Sequence, residues 1–234
     1  MGFMVSMFAR YHFITNFPEG YPWYKKVFAN FLYLLTGIVV HPRRNLLSHG
    51  DLIRARFLLR KGDVALWGNL REVSSLFIRG PLTHASIYVG HRQFIEAVGD
   101  GVREASMHHM FTEYDTLVIL RLPKTTHNRE KMIIDVIKHA QAQIGKPYDF
   151  DFSHRSNKFF CTELVNYAYK KAGYDTKLRT LGKFNPKKHT FIDKIITASR
   201  ALHPVRFAEE GNFDRVFISH NLSLRTKLSL KSEL

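Results

Sequence analysis

Two short runs of alternating residues between positions 83 and 98 constrain the fold of this chain more than any other feature. In residues 83–89 every second side chain points to the same face, and His84 lies on the face that also carries polar side chains. Residues 93–98 follow after Gly90-His91-Arg92, a length typical of a three-residue hairpin loop. The pattern therefore predicts two neighbouring antiparallel strands.

The register of this hairpin decides which side chains share a face. If Val89 pairs with Gln93, then Ser86 lies opposite Glu96, and Glu96 is diagonal to His84 on the same face. A long carboxylate side chain can reach an imidazole at that position. A slip of one residue would move Glu96 to the other face. We therefore expect a carboxylate and an imidazole side by side.

The chain has one cysteine, and the residues after it predict a helix. Apolar residues recur at helical spacing after Cys161, and Gly173 is a natural stop. Cys161 would then lie in the first turn and face inward. The positive end of the helix dipole favours a thiolate there. A lone cysteine is more often a small buried hydrophobe, so the helix alone does not establish catalysis.

The three side chains together are what nucleophilic catalysis needs. Taken singly, His84 could be a hydrogen-bonded sheet histidine and Glu96 a solvated carboxylate. A thiol on a helix start, an imidazole on a strand and a carboxylate on the next strand supply a nucleophile, a base and a group that orients the base. A Cys161, His84 and Glu96 triad is therefore the leading hypothesis.

Five strings in this order resemble the permuted NlpC-type papain-like amidases, the YiiX/YaeF-like group. In that group the histidine strand precedes the cysteine helix, the reverse of ordinary papain-like enzymes. The resemblance implies an α+β, circularly permuted papain-like (NlpC-type) fold with an antiparallel sheet packed against the cysteine-bearing helix. It covers roughly residues 60 to 175, and its strings lie in residues 62–67, 83–90, 94–102, 145–149 and 160–165.

The resemblance also implies roles for individual residues. Cys161 matches the family nucleophile, His84 the general base and Glu96 the group that orients the imidazole. Tyr148 matches a tyrosine near the site in relatives, and its alternative is a core aromatic side chain beside a turn. The expected reaction is attack on an amide or ester carbonyl through an acyl-enzyme, and we expect neither a metal nor a cofactor.

The resemblance leaves two alternatives open. The same superfamily includes lipid acyltransferases of the lecithin–retinol type, and hydrolysis and transfer share one thioester intermediate. A non-catalytic member that binds lipid or a membrane is the other alternative. The three intact site residues favour an enzyme, and the substrate class, lipid-linked or not, does not follow from the sequence.

Basic residues concentrate in the two flanks of the chain. Residues 1–62 carry a net charge of +7, residues 63–174 of +2 and residues 175–234 of +6. We therefore divide the chain into an N-terminal helical extension at 1–60, a catalytic core at 61–175 and a basic C-terminal extension at 176–234. A nucleic-acid enzyme would carry its basic patch beside the site, so we do not expect nucleic acid as a partner. Basic flanks suit an anionic membrane surface or an ordinary solvated surface.

Residues 27–40 form an apolar stretch of 14 residues, most of it within a helix expected at 24–39. The stretch is too short for a membrane span. Aromatic and cationic residues at both of its ends suit an interfacial helix, and a helix packed on the catalytic core is the equal alternative. The first residues do not form an ordinary secretory signal, so we expect a cytoplasmic protein, with peripheral membrane attachment left open.

The remaining periodicity predicts further elements along the chain. A short helix is expected within 70–80, and the segment from Asn221 is expected to be a mobile tail. The other expected helices are 50–60, 128–144, 161–172 and 190–201, and the other expected strands are 63–67, 101–105, 116–122 and 215–219.

Overall fold

A six-stranded antiparallel sheet is the frame of the molecule. The computed structural model describes residues 12–38, 47–70, 80–150, 157–178, 203–224 and 228–230. In these residues the sheet has the order β4-β3-β2-β1-β5-β6, and a separate two-stranded hairpin is formed by β7 and β8. The strands are β1 (Val64–Gly68), β2 (His84–Gly90), β3 (Gln93–Val98), β4 (Gly101–Ser106), β5 (Thr116–Arg121), β6 (Asp214–Ile218), β7 (Leu222–Leu224) and β8 (Leu228–Leu230).

Helices cover both faces of this sheet. Within the described residues they are α1 (Trp23–Thr36), α2 (His49–Leu58), α3 (Met107–Glu113), α4 (Arg129–Gln141), α5 (Cys161–Lys171) and α6 (Pro204–Glu209). One core cluster joins one face of the central strands to α4, α5 and α6, and a second joins the opposite face to α2 and α3. Two covered faces explain why β1 and β5 are almost continuously apolar. The mixture of helices with an antiparallel sheet is the α+β class that the sequence predicted.

The central hairpin has the predicted register along most of its length. Ser86 pairs with Glu96, so Glu96 lies on the same face as His84. The predicted three-residue loop is wrong, because Gly90 pairs with Gln93 across a bulge. The turn consists of His91 and Arg92 alone, and both have positive φ angles, 50° and 59°. Two such residues give a turn whose twist matches that of the strands, and the bulge absorbs the extra residue.

Most of the other predicted elements form within a few residues of their expected ends. The sequence analysis did not predict α3 or α6, which are only 7 and 6 residues long. The expected helix at 190–201 and nearly all of the one expected within 70–80 lie outside the described residues. The tail prediction is wrong for β7 and β8, because these strands pair with each other and bury Leu222 and Leu228.

The N-terminal arm and α1 pack on the turn between β3 and β4. Ala29 and Tyr33 are buried, and the Tyr33 ring lies so close to Gly99 that any side chain there would collide with it. The Nε2 atom of His12 lies 2.9 Å from Oδ1 of Asp100, in the same turn. Among the described residues no helix has the length and apolar character needed to cross a membrane.

Candidate active site

The imidazole of His84 and the carboxylate of Glu96 form a buried pair at the start of the central hairpin. Nε2 of His84 lies 2.8 Å from Oε2 of Glu96. Glu96 is fully buried, and His84 is 8% exposed. The Tyr114 ring lies parallel to the imidazole, with the two ring centroids 5.4 Å apart. Since Nε2 contacts the carboxylate and Tyr114 covers one ring face, the orientation of the imidazole is fixed.

Cys161 is the first residue of α5, the helix that the sequence predicted. Phe160 precedes it in extended conformation, and its side chain makes no capping hydrogen bond. Buried Phe159 and Phe160 anchor the approach to the helix, and the cysteine itself is 8% exposed. The Cys161 side chain is close enough to His84 to act on the pKa of the imidazole. Nε2 of that ring contacts Glu96, and Nδ1 is its other nitrogen.

The electrostatics of the site favour a charged imidazole. Burial opposes the charge on His84, but the hydrogen bonds to Cys161 and Glu96 outweigh burial and raise the pKa of His84 to about 9. Burial likewise acts against ionisation of Glu96, yet His84 and Arg103 hold the pKa of Glu96 below its ordinary value. At neutral pH the site therefore contains an imidazolium beside an ionised carboxylate.

Arg103 is a site residue that the sequence analysis missed. It lies opposite Glu96 in the β3–β4 pair, and its Nε donates to Oε1 of Glu96 over 2.9 Å. Its Nη2 lies 3.3 Å from Nε2 of His109, and its Nη1 lies 4.0 Å from Oδ2 of Asp100. The pairing rule applied to the first hairpin would have found Arg103 if extended across the turn to β4. Both carboxylate oxygens of Glu96 are thus occupied.

Tyr148 lies beside the segment that leads to the cysteine. Its backbone forms an isolated parallel bridge with Phe159, two residues before Cys161. Its ring centroid is 4.9 Å from that of Phe150, and the ring packs against the larger core cluster. This position agrees with either reading of Tyr148, a support of the site or a core aromatic beside a turn.

The donor set of the site suits covalent catalysis. A thiol, an imidazole and a carboxylate in hydrogen-bonded sequence can generate and stabilise a sulfur nucleophile. Within the described part of the chain, no group of three or more His, Cys, Asp and Glu side chains could hold a metal ion.

A family of known proteins matches most of this chain. A family model described as permuted papain-like amidase, YaeF/YiiX, C92 family, matches residues 58–217. The chain is also similar to a crystal structure of YiiX from Escherichia coli O157:H7, which is titled a metalloprotein. The identity is 18% and the TM-score 0.44, over 74% of this chain and 89% of the other. No curated protein matches this chain. The match over most of the chain shows that this protein belongs to the family of permuted papain-like amidases.

Proposed function

We propose that Cys161, His84 and Glu96 form the catalytic triad of a cysteine hydrolase that cleaves an amide or ester bond. One observation supports this most directly: the buried His84 imidazole contacts the Glu96 carboxylate, and the Cys161 side chain is close enough to help raise its pKa. Membership of an amidase family supports the same kind of chemistry.

The proposed reaction has two halves that share one intermediate. The Cys161 thiolate attacks the carbonyl carbon, and Nδ1 of His84 gives its proton to the departing amine or alcohol as that bond breaks. This leaves a thioester on the cysteine. Water then attacks the thioester carbonyl while His84 accepts a proton from the water. The bond between the carbonyl carbon and sulfur breaks, and the carboxylic acid leaves. The cysteine is a thiolate again, and His84 is an imidazolium because it holds the proton taken from water.

Glu96 acts on the imidazole and not on the substrate. Its Oε2 fixes Nε2 of His84, which directs Nδ1 toward the sulfur, and its charge stabilises the imidazolium. The backbone N–H of Cys161, at the start of α5, supplies one donor for the oxyanion that forms during attack. Tyr148 supports the site in this proposal through the segment it bridges, next to the cysteine.

We also propose that the substrate carries a lipid or other long apolar group. Aromatic rings from the N-terminal arm and from the segment before Cys161 form one cluster, in which Phe17 lies 5.4 Å from Tyr21 and 6.2 Å from Phe150, centroid to centroid. Lys158 lies over the Tyr21 ring. Such a cluster, beside the segment that leads to Cys161, offers apolar contact area for a long chain.

Trapping the acyl-enzyme tests the chemistry. The protein is mixed with p-nitrophenyl esters of acetate and of a long-chain fatty acid, quenched in acid and weighed by intact mass spectrometry. We expect one acyl adduct on Cys161, no adduct on C161A, and more adduct from the long-chain ester. An adduct of the same amount on C161A, or none on the wild type, would reject the triad. Equal labelling by both esters would reject the lipid substrate.

A competing acceptor separates hydrolysis from transfer. An amine or a lysophospholipid is added to the acylation reaction before the acid quench. Free acid remains the main product if water is the natural acceptor. An acylated acceptor that forms faster than free acid would instead indicate an acyltransferase.

A further inference from the structure

Helix α1 presents an entirely apolar face to the outside of the molecule. At about 100° per residue, its exposed large side chains span an arc of roughly 140°. These side chains are exposed by 43% to 76% and are Trp23, Tyr24, Val27, Phe28 and Phe31. Leu34 and Leu35 lie within the same arc and are half-buried. The outward face of an ordinary surface helix is polar and charged, whereas this outward arc contains no charged residue.

The opposite face of α1 is the one that packs on the protein. Ala29 is 2% exposed and Tyr33 is 9% exposed, and both lie on the far side of the helix from the apolar arc. Asn30 fixes the helix further, because its side chain accepts from the Ile14 N–H and donates to the Ile14 carbonyl. The arc is therefore held outward by packing and hydrogen bonds on the other side.

The charge around this face selects its partner. The helix contains no acidic residue, and Lys25 and Lys26 flank the arc in its first turn. Residues 1–62 have a net charge of +7, and the whole chain has one of +15. Aromatic side chains flanked by lysines suit the boundary between lipid headgroups and acyl chains, and a positive protein is attracted to anionic lipid. We propose that the apolar face of α1 docks on the surface of an anionic lipid bilayer.

The buried face of α1 is connected to the candidate active site through short contacts. The Tyr33 hydroxyl lies 3.4 Å from Nε2 of His12, and His12 contacts Asp100. Asp100 lies 4.0 Å from Arg103, which contacts Glu96. Helix α1 would thus lie between a bound bilayer and the β3–β4 turn. The inference extends the proposed function and rests on it for the substrate, since docking would hold the protein at a surface that contains a lipid-linked substrate.

Vesicle binding by the full-length protein tests the docking surface. The probes are sedimented vesicles of phosphatidylcholine alone and of phosphatidylcholine with phosphatidylserine. We expect binding to the anionic vesicles to weaken as salt rises, and the variant F28Q/F31Q to bind at least tenfold less tightly than the wild type. The matched control is F57Q, because Phe57 on α2 is 84% exposed but lies outside α1. Equal binding by F28Q/F31Q and the wild type would overturn the proposal.

Tryptophan fluorescence locates the contact within the protein. Trp23 is 76% exposed whereas Trp67 is fully buried, so acrylamide quenching reports on Trp23. Anionic vesicles should protect Trp23 from acrylamide, and W23F should lose this response. Protection of Trp23 without vesicles would mean that another part of the chain covers the apolar face. If this protection rises with protein concentration, a second copy of the chain covers the face. Either result would overturn the proposal, and neither would change acylation of Cys161, so the two proposals fail separately.

Discussion

The imidazole of His84 contacts the Glu96 carboxylate through Nε2, and the Cys161 side chain also acts on its pKa. Its pKa of about 9 lies above the ordinary value of 6.5 because the hydrogen bonds to Cys161 and Glu96 outweigh the opposing effect of burial. A raised pKa keeps the imidazolium intact at neutral pH, and an imidazolium is the partner that a thiolate needs. In the proposed mechanism the reactive form of the site is an ion pair of this imidazolium and a Cys161 thiolate.

Alkylation of Cys161 by iodoacetamide measures this ion pair. We expect the wild type to react rapidly below pH 7. H84A should react more slowly there, with a midpoint that moves toward about 8.5, the value of a free cysteine. The matched control is H127A, because His127 is an exposed histidine in the loop before α4. A Cys161 that reacts only after denaturation would show a buried structural thiol and contradict the triad.

Arg103 is expected to act as a positioning residue through Glu96. It helps to hold the pKa of Glu96 below its ordinary value, so R103M should raise that pKa and move the acidic limb of the activity profile to higher pH. Loss of a hydrogen bond to a charged group should also lower kcat/KM roughly tenfold. R103K keeps the charge and should retain most of the pH profile.

The pH profile distinguishes this role from simple destabilisation. R56M removes an exposed arginine of α2 and should leave both kcat/KM and the profile unchanged. If R103M lowers activity equally at every pH, Arg103 supports the fold and does not set the pKa of Glu96.

At the scale of elements, the start of α5 depends on a buried ion pair. Nζ of Lys158 lies 2.9 Å from Oδ1 of Asp149, and the two residues are 5% and 0% exposed. K158M would remove the positive charge beside the buried Asp149 carboxylate, which should lower the free energy of unfolding by about 3–5 kcal/mol. Urea denaturation measures the effect.

Two variants complete this test. D149L/K158M removes both charges and should recover much of the lost stability, because no unpaired charge remains. K131M changes an exposed lysine of α4 and should have almost no effect. If the single and double variants are equally destabilised, the side chains contribute through packing and not as an ion pair.

The local sequence pattern predicted the strands and the helix that hold the site. It failed for elements whose formation depends on contacts with residues distant in sequence. The predicted register of β2 and β3 rested on alternation and on a Val89–Gln93 pairing. The bulge changes the pairing at the turn but leaves Ser86 opposite Glu96, so Glu96 is beside His84 as predicted. The α3 helix is too short for a periodic signal, and β7 and β8 depend on burial of Leu222 and Leu228 against the core. Cys161 and His84 are far apart in sequence, so no local pattern could bring them together; the chemistry of the two residues and the family resemblance suggested it.

At the scale of the whole molecule, the site also contributes to pH-dependent stability. The raised pKa of His84 gives stability that is present below about 6.5 and is lost as the pH rises through about 9. The lowered pKa of Glu96 gives stability that is present above its ordinary value of 4.5 and is lost as the pH falls. Both contributions are complete only between about pH 5 and 6.5.

Unfolding measured across this range checks the assignment. The difference in the free energy of unfolding between wild type and H84A should be largest near pH 6 and shrink by an amount on the order of 3 kcal/mol by pH 10. H127A should follow the wild-type curve. A difference that does not change with pH would mean that His84 contributes through packing alone.

The order of strands in the sheet has a consequence for how the chain is made. The outer partner of β5 is β6, which begins at Asp214. About ninety residues separate the two strands, so a ribosome needs roughly 5 to 20 seconds between them. During that time β5, with its apolar Leu117, Val118, Ile119 and Leu120, is an unpaired edge. Such an edge is a template for misassembly, so chaperone demand during synthesis should centre on this interval.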